Sequence, residues 1–457
     1  MIPTAPTAIR PRIRFSFPGM DAIRLVAALA VVYAHSYPIG RGLNTPDPLE
    51  PFLGGIGLGD YAVRVFFILS GFLLSSSLDS SPDPLRYLAN RLLRLVPGFA
   101  FAIFVSVLLF GPFMTDMGWR LVFSAKAWSS IYWSISCLSD MVSFQLSRVP
   151  QPGLVWFMNG SLWSIPYELV CYLVLLCLYM LLRKDSRVAW AALGIAAFTL
   201  AAPRLGLAAG PERAQEISLP LAMFPSTLPY FCGGAAFYAV YKRWGMPRFA
   251  APVALAALLA SAVFHLESET LALAGPVLIV SLGSRRTALS RVPETLGDIS
   301  YGVYLFGWPA GLLVAATTGT TSALVIFGLS LPLILASAYA MHQVVERPVS
   351  TRLRPWLLQY LPSFTLPGPD DRADDRRRAV ETGARLVAYV FCFLMVARFT
   401  VYPYPFGLNW FGFQVSQLVE IIVVSAAIIA AGDWWARRLR ARGGTGQRAI
   451  AAVRTGS

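Results

Sequence analysis

The chain has 457 residues, of which 56% are hydrophobic and 14% are charged. Soluble domains carry roughly 25% charged residues, so the composition and the long apolar segments exclude an ordinary soluble protein and predict an all-α polytopic membrane protein. The net charge of +14 could suggest nucleic-acid binding, but the arginines cluster in loops between apolar segments, as in membrane proteins. We therefore expect contact with membrane lipid and no nucleic acid.

Twelve apolar segments follow one another along the chain and predict twelve membrane spans. They lie at 20–37, 61–78, 95–113, 166–182, 188–205, 218–241, 249–265, 269–283, 299–318, 322–344, 384–401 and 415–432. The first ten form a body over 20–350, preceded by a basic arm at 1–19. A charged linker at 351–383 leads to a two-span extension at 384–432 and a basic tail at 433–457.

The basic residues predict the orientation of these spans. If the N-terminus is inside, the predicted inner loops hold most of the arginines and lysines, whereas the predicted outer loops at 266–269, 319–321 and 402–414 hold none. Basic loops stay in the cytoplasm, so we expect both termini there and the protein in the inner (plasma) membrane.

The sequence offers no metal site. Its five cysteines form no CxxC or other ligand spacing and are more typical of small apolar residues within spans. We expect neither a metal nor a bound cofactor.

The first apolar segment contains three ionisable residues, Asp21, Arg24 and His35. Burying such a group costs several kcal/mol unless it has a partner, so each is a candidate functional residue. Arg24 and His35 are eleven residues apart, which on a helix places them on one side and about 16 Å apart along the axis. His35 is either a general base or a structural histidine bonded to a neighbouring helix.

The second span and the start of the third hold further candidates. Arg64 requires a carboxylate or an anionic ligand if it lies within the membrane, whereas the neighbouring Ser70 and Gly71 are typical of close helix packing. Arg91 and Arg94 precede the third span. They either set the topology or bind phosphate oxygens, for which arginine is well suited.

Trp163, Tyr167 and Glu168 lie at the start of the fourth span. If this span begins on the outer side, Glu168 lies at the depth of His35 and Arg64. The carboxylate then either stabilises the helix dipole or contacts His35 and fixes its tautomer.

A long predicted outer loop at 114–165 is rich in aromatic residues, including Trp128 and Trp133. Such residues usually form a belt at the membrane interface. Stacking on the sugar rings of a substrate is the alternative.

Six sequence blocks, in this order, resemble the acyltransferase-3 family of integral membrane acyltransferases. They are MDAIRLVAALAVVYAHS, VRVFFILSGFLL, RYLANRLLRLVPGF, GSLWSIPYELVCYL, LGDISYGVYLFGWP and VVERP, and together they cover about residues 18–350. The resemblance implies transfer of an acyl group, usually acetyl from acyl-CoA, to a hydroxyl of an extracytoplasmic glycan such as exopolysaccharide or lipopolysaccharide. Proteins of polysaccharide assembly would then be partners.

The resemblance also assigns site residues. The motif residues of the family fall on Asp21, Arg24, His35, Ser70, Gly71, Arg91, Arg94, Trp163 and Glu168. Two positions depart from the family pattern: Ala22 replaces the usual glycine, and Gly307 replaces a second histidine that many members carry. A mechanism that needs two histidines is therefore not expected here.

The resemblance and the predicted topology together imply a mechanism. The phosphates of cytoplasmic acyl-CoA would meet Arg24, Arg91 and Arg94, and the pantetheine arm would carry the thioester toward His35. His35, oriented by Glu168 or another acid, would take the proton of the acceptor hydroxyl. Direct transfer and a transient acyl-histidine both stay open.

Arg64 or Ser70 would stabilise the oxyanion of this reaction. Two alternatives to the glycan acyltransferase remain. The acceptor could be a lipid-linked sugar or a secreted small molecule, or the protein could be a twelve-span transporter, since carriers also bury charges in their spans.

Overall fold

The structure is a computed structural model that describes residues 17–361, except 44, 82, 137–145, 151–157, 183–184, 203–204 and 206–223. The predicted two-span extension and basic tail lie outside the described residues, as do most of the basic arm and of the charged linker.

The described residues form helices joined by short connections, without a β-strand among them. The principal helices are α1 (Met20–Arg41), α2 (Leu58–Ser80), α3 (Pro84–Phe104), α4 (Ala125–Ser136), α5 (Ser164–Leu182), α6 (Asp185–Ala201), α7 (Phe224–Trp244), α8 (Ala250–Phe264), α9 (Glu267–Gly283), α10 (Arg291–Leu296), α11 (Ser300–Thr318), α12 (Ala323–Met341) and α13 (Arg354–Tyr360). The helical path of α3 continues through a π-helical stretch (Val105–Phe110) to Met114. The all-helical prediction is confirmed for this part of the chain.

In the described part of the chain, fewer helices than predicted are long and apolar enough to cross a membrane on their own. Each of the first ten predicted segments overlaps a helix of the described residues. Within the described ranges, however, five helices are long and apolar enough to cross a membrane, or six if α10 and α11, which meet at 85°, form one broken span. The structure therefore supports a helical membrane protein without establishing twelve spans, and the last two predicted spans lie outside the described residues.

The start of α3 differs from the prediction. The third span was expected to begin at residue 95, but α3 begins eleven residues earlier, at Pro84. Asp83 caps the helix by accepting a hydrogen bond from the backbone N–H of Arg86 at 3.1 Å, and proline is favoured in the first turn. This start cannot be recognised from the mean hydropathy of the sequence, because the first turns of α3 carry arginines. Arg91 and Arg94 therefore lie on a helix and not in a loop.

Glycines allow the backbones of α2 and α7 to pack in direct contact. A Cβ built on Gly71 would lie 2.0 Å from the backbone oxygen of Phe231, and one built on Gly234 would lie 2.2 Å from the backbone oxygen of Ile68. Any larger side chain at these positions would separate the two backbones. The close packing predicted for Gly71 is confirmed.

Helices α1 and α11 run parallel and begin at the same end of the bundle, which we call the basal end. Near this end Arg24 contacts Asp298, and two turns further along, a Cβ built on Gly307 would lie 2.7 Å from Val32 Cγ2. The position that departs from the family's second histidine is therefore filled by the close approach of α1.

Candidate functional site

A cavity of about 120 Å³ opens between α1, α2, α3, α5 and α11. Its lining includes five predicted site residues: Arg24, Ser70, Arg91, Arg94 and Glu168. The wall from α2 is mostly apolar, because Val63, Phe66 and Leu74 are among the residues that line it. The cavity thus combines a cluster of arginines with an apolar wall.

Arg24 of α1 and Arg94 of α3 converge on one carboxylate, that of Asp298. Arg94 Nη2 lies 2.7 Å from Asp298 Oδ2, and Arg24 Nη1 lies 3.4 Å from the same oxygen. Arg24 Nη1 also lies 3.1 Å from Asp21 Oδ1, one turn away on α1. Asp298 therefore joins α1, α3 and the connection before α11 at the basal end of the cavity.

Local structure fixes the carboxylate of Asp298. The residue follows Gly297, whose φ of +84° favours glycine, and its Oδ1 accepts hydrogen bonds from Ser300 Oγ at 2.5 Å and Ser300 N at 3.3 Å. Burial opposes ionisation of Asp298, but Arg94, Arg24 and Ser300 together outweigh it and hold the pKa below its ordinary value. Asp298 is therefore ionised at neutral pH.

A second carboxylate approaches Arg94 from the residues that follow α12. Glu346 Oε1 lies 3.8 Å from Arg94 Nη1, and Glu346 Oε2 lies 2.9 Å from His342 Nδ1. The ring of His342 packs over Gly297, where a built Cβ would lie 2.2 Å from Nε2. Sequence reasoning assigned no role to Asp298 or Glu346, although both lie in blocks that resemble the family.

Arg91 differs from the other two arginines. Its side chain lines the cavity, and its Nε is buried without a hydrogen-bond partner among the described residues. A buried arginine donor without a partner costs free energy. Arg91 thus has a buried donor available for a ligand.

The expected contact between Glu168 and His35 is wrong. The Glu168 carboxylate accepts a hydrogen bond from Tyr172 and lines the cavity with the arginines. The reason is that α5 begins within the bundle: Ser164 Oγ lies 2.6 Å from Tyr304 Oη, and Glu168 is one further turn toward the basal end. Glu168 is therefore not at the depth predicted.

His35 does not line the cavity and lies beyond the buried Ser164–Tyr304 pair, whose end of the cavity we call the closed end. Its ring packs edge-on against Trp308, with 5.1 Å between the centroids, and its buried Nδ1 has no hydrogen-bond partner among the described residues. Trp308 is one turn beyond Tyr304 on α11, and the Ser164–Tyr304 pair lines the end of the cavity. The pair therefore separates the arginine cavity from the imidazole.

The remaining predicted site residues lie outside the cavity. The Arg64 guanidinium packs over Tyr230, 4.9 Å from the ring centroid, and Nη1 donates to Ser268 Oγ at 3.4 Å. Trp163 and Tyr167 pack edge-on against each other, with 6.1 Å between the centroids. The Arg64 side chain therefore contacts α7 and α9 and does not line the arginine cavity.

The aromatic residues of 114–165 are only partly described. Trp128 is exposed, and its Nε1 donates to the backbone oxygen of Val122 at 2.9 Å. The side chain of Trp133 lies outside the described part of the chain. Sugar stacking by this region stays a prediction.

Comparison with known proteins gives a consistent result. The family model described as an acyltransferase domain, that of the acyltransferase-3 family, matches residues 17–343. An O-acetyl transferase of Shigella phage Sf6 is 27% identical over 306 residues, which are 65% of this chain and 85% of that protein. Acyltransferase MdmB of Streptomyces mycarofaciens is 27% identical over 369 residues, 72% and 91% of the two chains. No solved structure matches.

Proposed function

The chain belongs to the acyltransferase-3 family, and we propose that it moves an acyl group from cytoplasmic acyl-CoA to a hydroxyl of an extracytoplasmic glycan. The family match and the names of its relatives make it a membrane acyltransferase. This family membership favours an enzyme over the transporter alternative. Acetyl is the acyl group we propose, since one relative is named an O-acetyl transferase.

The convergence of three arginines on one cavity carries the proposal for the donor. Arg24, Arg91 and Arg94 line the same space, and guanidinium groups bind phosphate oxygens in a fork geometry. CoA presents several phosphates at one end and a thioester at the other. We therefore place the phosphates at the basal end and the thioester toward the closed end of the cavity.

The apolar wall from α2 supports this orientation. The pantetheine arm is weakly polar and would run along the wall toward the Ser164–Tyr304 pair. Arg24 and His35 are about 16 Å apart along α1, a span on the order of the length of that arm. The basal end would face the cytoplasm, because the predicted inner loops carry most of the basic residues.

His35 is proposed as the general base. It would accept the proton of the acceptor hydroxyl while the hydroxyl oxygen attacks the thioester carbonyl. The C–O bond then forms, the C–S bond breaks, and the CoA thiolate leaves and takes up a proton. Transfer through an acyl-histidine needs the same residue.

The closed end of the cavity imposes one condition on this mechanism. The Ser164–Tyr304 pair lies between the cavity and His35, so it must part when donor and acceptor meet. Glu168 would then contact the donor, because it lines the cavity with the arginines, and would not orient the imidazole. A glycan is the proposed acceptor, with a lipid-linked sugar or a secreted small molecule as the alternatives.

Membrane vesicles containing the protein and labelled acetyl-CoA test the function. An acyltransferase leaves the label esterified to an acceptor, whereas a carrier leaves the acetyl-CoA unreacted on the far side. Analysis of the surface glycan from a strain lacking the protein would then identify the acceptor through its missing ester. Vesicles that never esterify label, with any glycan offered, would contradict the proposal.

A further inference from the structure

The cavity is not simply cationic, because carboxylates accompany its arginines. Three arginines meet four acidic residues in or beside it: Arg24, Arg91, Arg94, Asp21, Glu168, Asp298 and Glu346. Two of the arginines are already paired. The acidic residues thus outnumber the arginines, and an anionic ligand meets guanidinium groups that already have carboxylates beside them.

Asp298 is placed where a ligand phosphate would be expected. Its Oδ2 accepts from Arg94 Nη2 at 2.7 Å and lies 3.4 Å from Arg24 Nη1. A carboxylate and a phosphate present similar oxygen acceptors to an arginine, so both cannot occupy the same guanidinium N–H groups. The carboxylate is also held in place by Ser300, which donates to its other oxygen.

We infer that Asp298 is the resident counter-anion of the donor site and that a donor phosphate must displace it from Arg94. Arg91, whose Nε has no hydrogen-bond partner in the described part of the chain, receives the phosphate first. Asp298 is a positioning residue: it orders the arginines before the donor binds and lowers the affinity for the donor. The inference rests on the proposed function, in that CoA is the anion.

The Asp298→Asn variant tests this exchange through two ligands, CoA and pantetheine. The asparagine is nearly isosteric and removes the competing charge, so CoA should bind about fivefold or more tightly, a typical coupling between sites. Pantetheine has no phosphate, and its affinity should not change. In acyl transfer, KM for acetyl-CoA should fall while kcat is kept. A structural defect would weaken both ligands.

Asp79→Asn is the matched control. Asp79 Oδ1 lies 2.7 Å from Lys242 Nζ, also at the basal end, but Asp79 does not line the cavity. Its loss should leave CoA affinity unchanged. If Asp298→Asn does not fold, Ser300→Ala is the second variant. It keeps the charge of Asp298 but removes the hydroxyl that holds its carboxylate in place. The phosphate should then displace the carboxylate more easily, and CoA should bind more tightly.

The outcomes separate the two proposals. Equal or weaker CoA binding by Asp298→Asn, or the same change for pantetheine, would overturn the exchange. If Asp298→Asn binds CoA more tightly but the wild type transfers no acyl group, the exchange is supported and the proposed reaction is contradicted. A wild type that does not bind CoA would overturn both.

Discussion

Arg94 and Asp298 are 204 residues apart in the sequence, yet Arg94 Nη2 lies 2.7 Å from Asp298 Oδ2. This ion pair joins α3 to the connection before α11 and stands at the basal end of the cavity. Hydrogen bonds between charged partners are the stronger ones in proteins. The pair therefore fixes the relative position of two cavity walls as well as the charge of the site.

Replacement of His35 should abolish acyl transfer. His35→Asn keeps a side chain of similar size but removes the basic nitrogen, and loss of a general base lowers rates by about 10²- to 10⁴-fold. His265→Asn is the control, because His265 is exposed and lies at the end of α8. Initial rates of ester formation at equal protein levels measure the effect. Transfer by His35→Asn at the rate of the control would remove the imidazole from the mechanism.

Arg91→Ala should raise KM for acetyl-CoA by about tenfold or more, since removing a charged hydrogen-bond donor from a ligand costs about 1.5–3 kcal/mol. Arg86→Ala is matched to it, because Arg86 lies on the same helix and pairs with Asp83 at 3.4 Å outside the cavity. Kinetics with varied acetyl-CoA compare the two. Equal KM values in both variants would show that Arg91 does not bind the donor.

Gly71→Ala should destabilise the fold. The new Cβ would lie 2.0 Å from the backbone oxygen of Phe231, and overpacking of this kind costs about 1–3 kcal/mol. Gly194→Ala is the control: apart from its own helical turn, no atom of the described residues lies within 4 Å of its built Cβ, and alanine favours a helix by about 1 kcal/mol over glycine. Thermal unfolding in detergent should show a lower Tm for Gly71→Ala alone. An unchanged Tm would mean that α2 and α7 are not in backbone contact.

The contribution of Asp298 to stability should depend on pH. Its pKa is lowered in the folded protein, where Arg94 and Arg24 outweigh the effect of burial. A lowered pKa stabilises the fold above the ordinary value of about 3.9, and this stability is lost as the pH falls through the folded value. The Tm difference between wild type and Asp298→Asn should therefore be largest at neutral pH and shrink below about pH 4. A difference independent of pH would contradict the ionised pair.

The positions of the helices could be predicted from the sequence because a membrane span needs a long apolar segment. Their ends could not. The first turns of α3 carry arginines and have the composition of a loop. Helix α5 begins at Ser164, which is buried and contacts Tyr304, whereas the prediction placed this start at the outer surface of the membrane. That second error moved Glu168 to the depth of His35 and produced the contact that the structure lacks.

The sequence predicted which arginines form the candidate site, but not which acidic residues pair with them. Arg24, Arg91 and Arg94 line one cavity, because ionisable residues in apolar segments mark such sites. Asp298 and Glu346 were missed as their partners, since an ion pair between distant segments depends on how the helices pack. A buried cation requires a counter-charge, so the acidic residues of the last two family-like blocks were the available signal.

The glycines that join α2 to α7 also limit which parts of the protein can move. Gly233 extends the contact to α9, where its built Cβ would lie 2.0 Å from the backbone oxygen of Ala272. Backbones packed this closely slide or separate only at a large cost, so α2, α7 and α9 act as a rigid frame. We therefore expect a passage from the arginines to the imidazole to open beside this frame, between α5 and α11 at the hydroxyl pair of Ser164 and Tyr304.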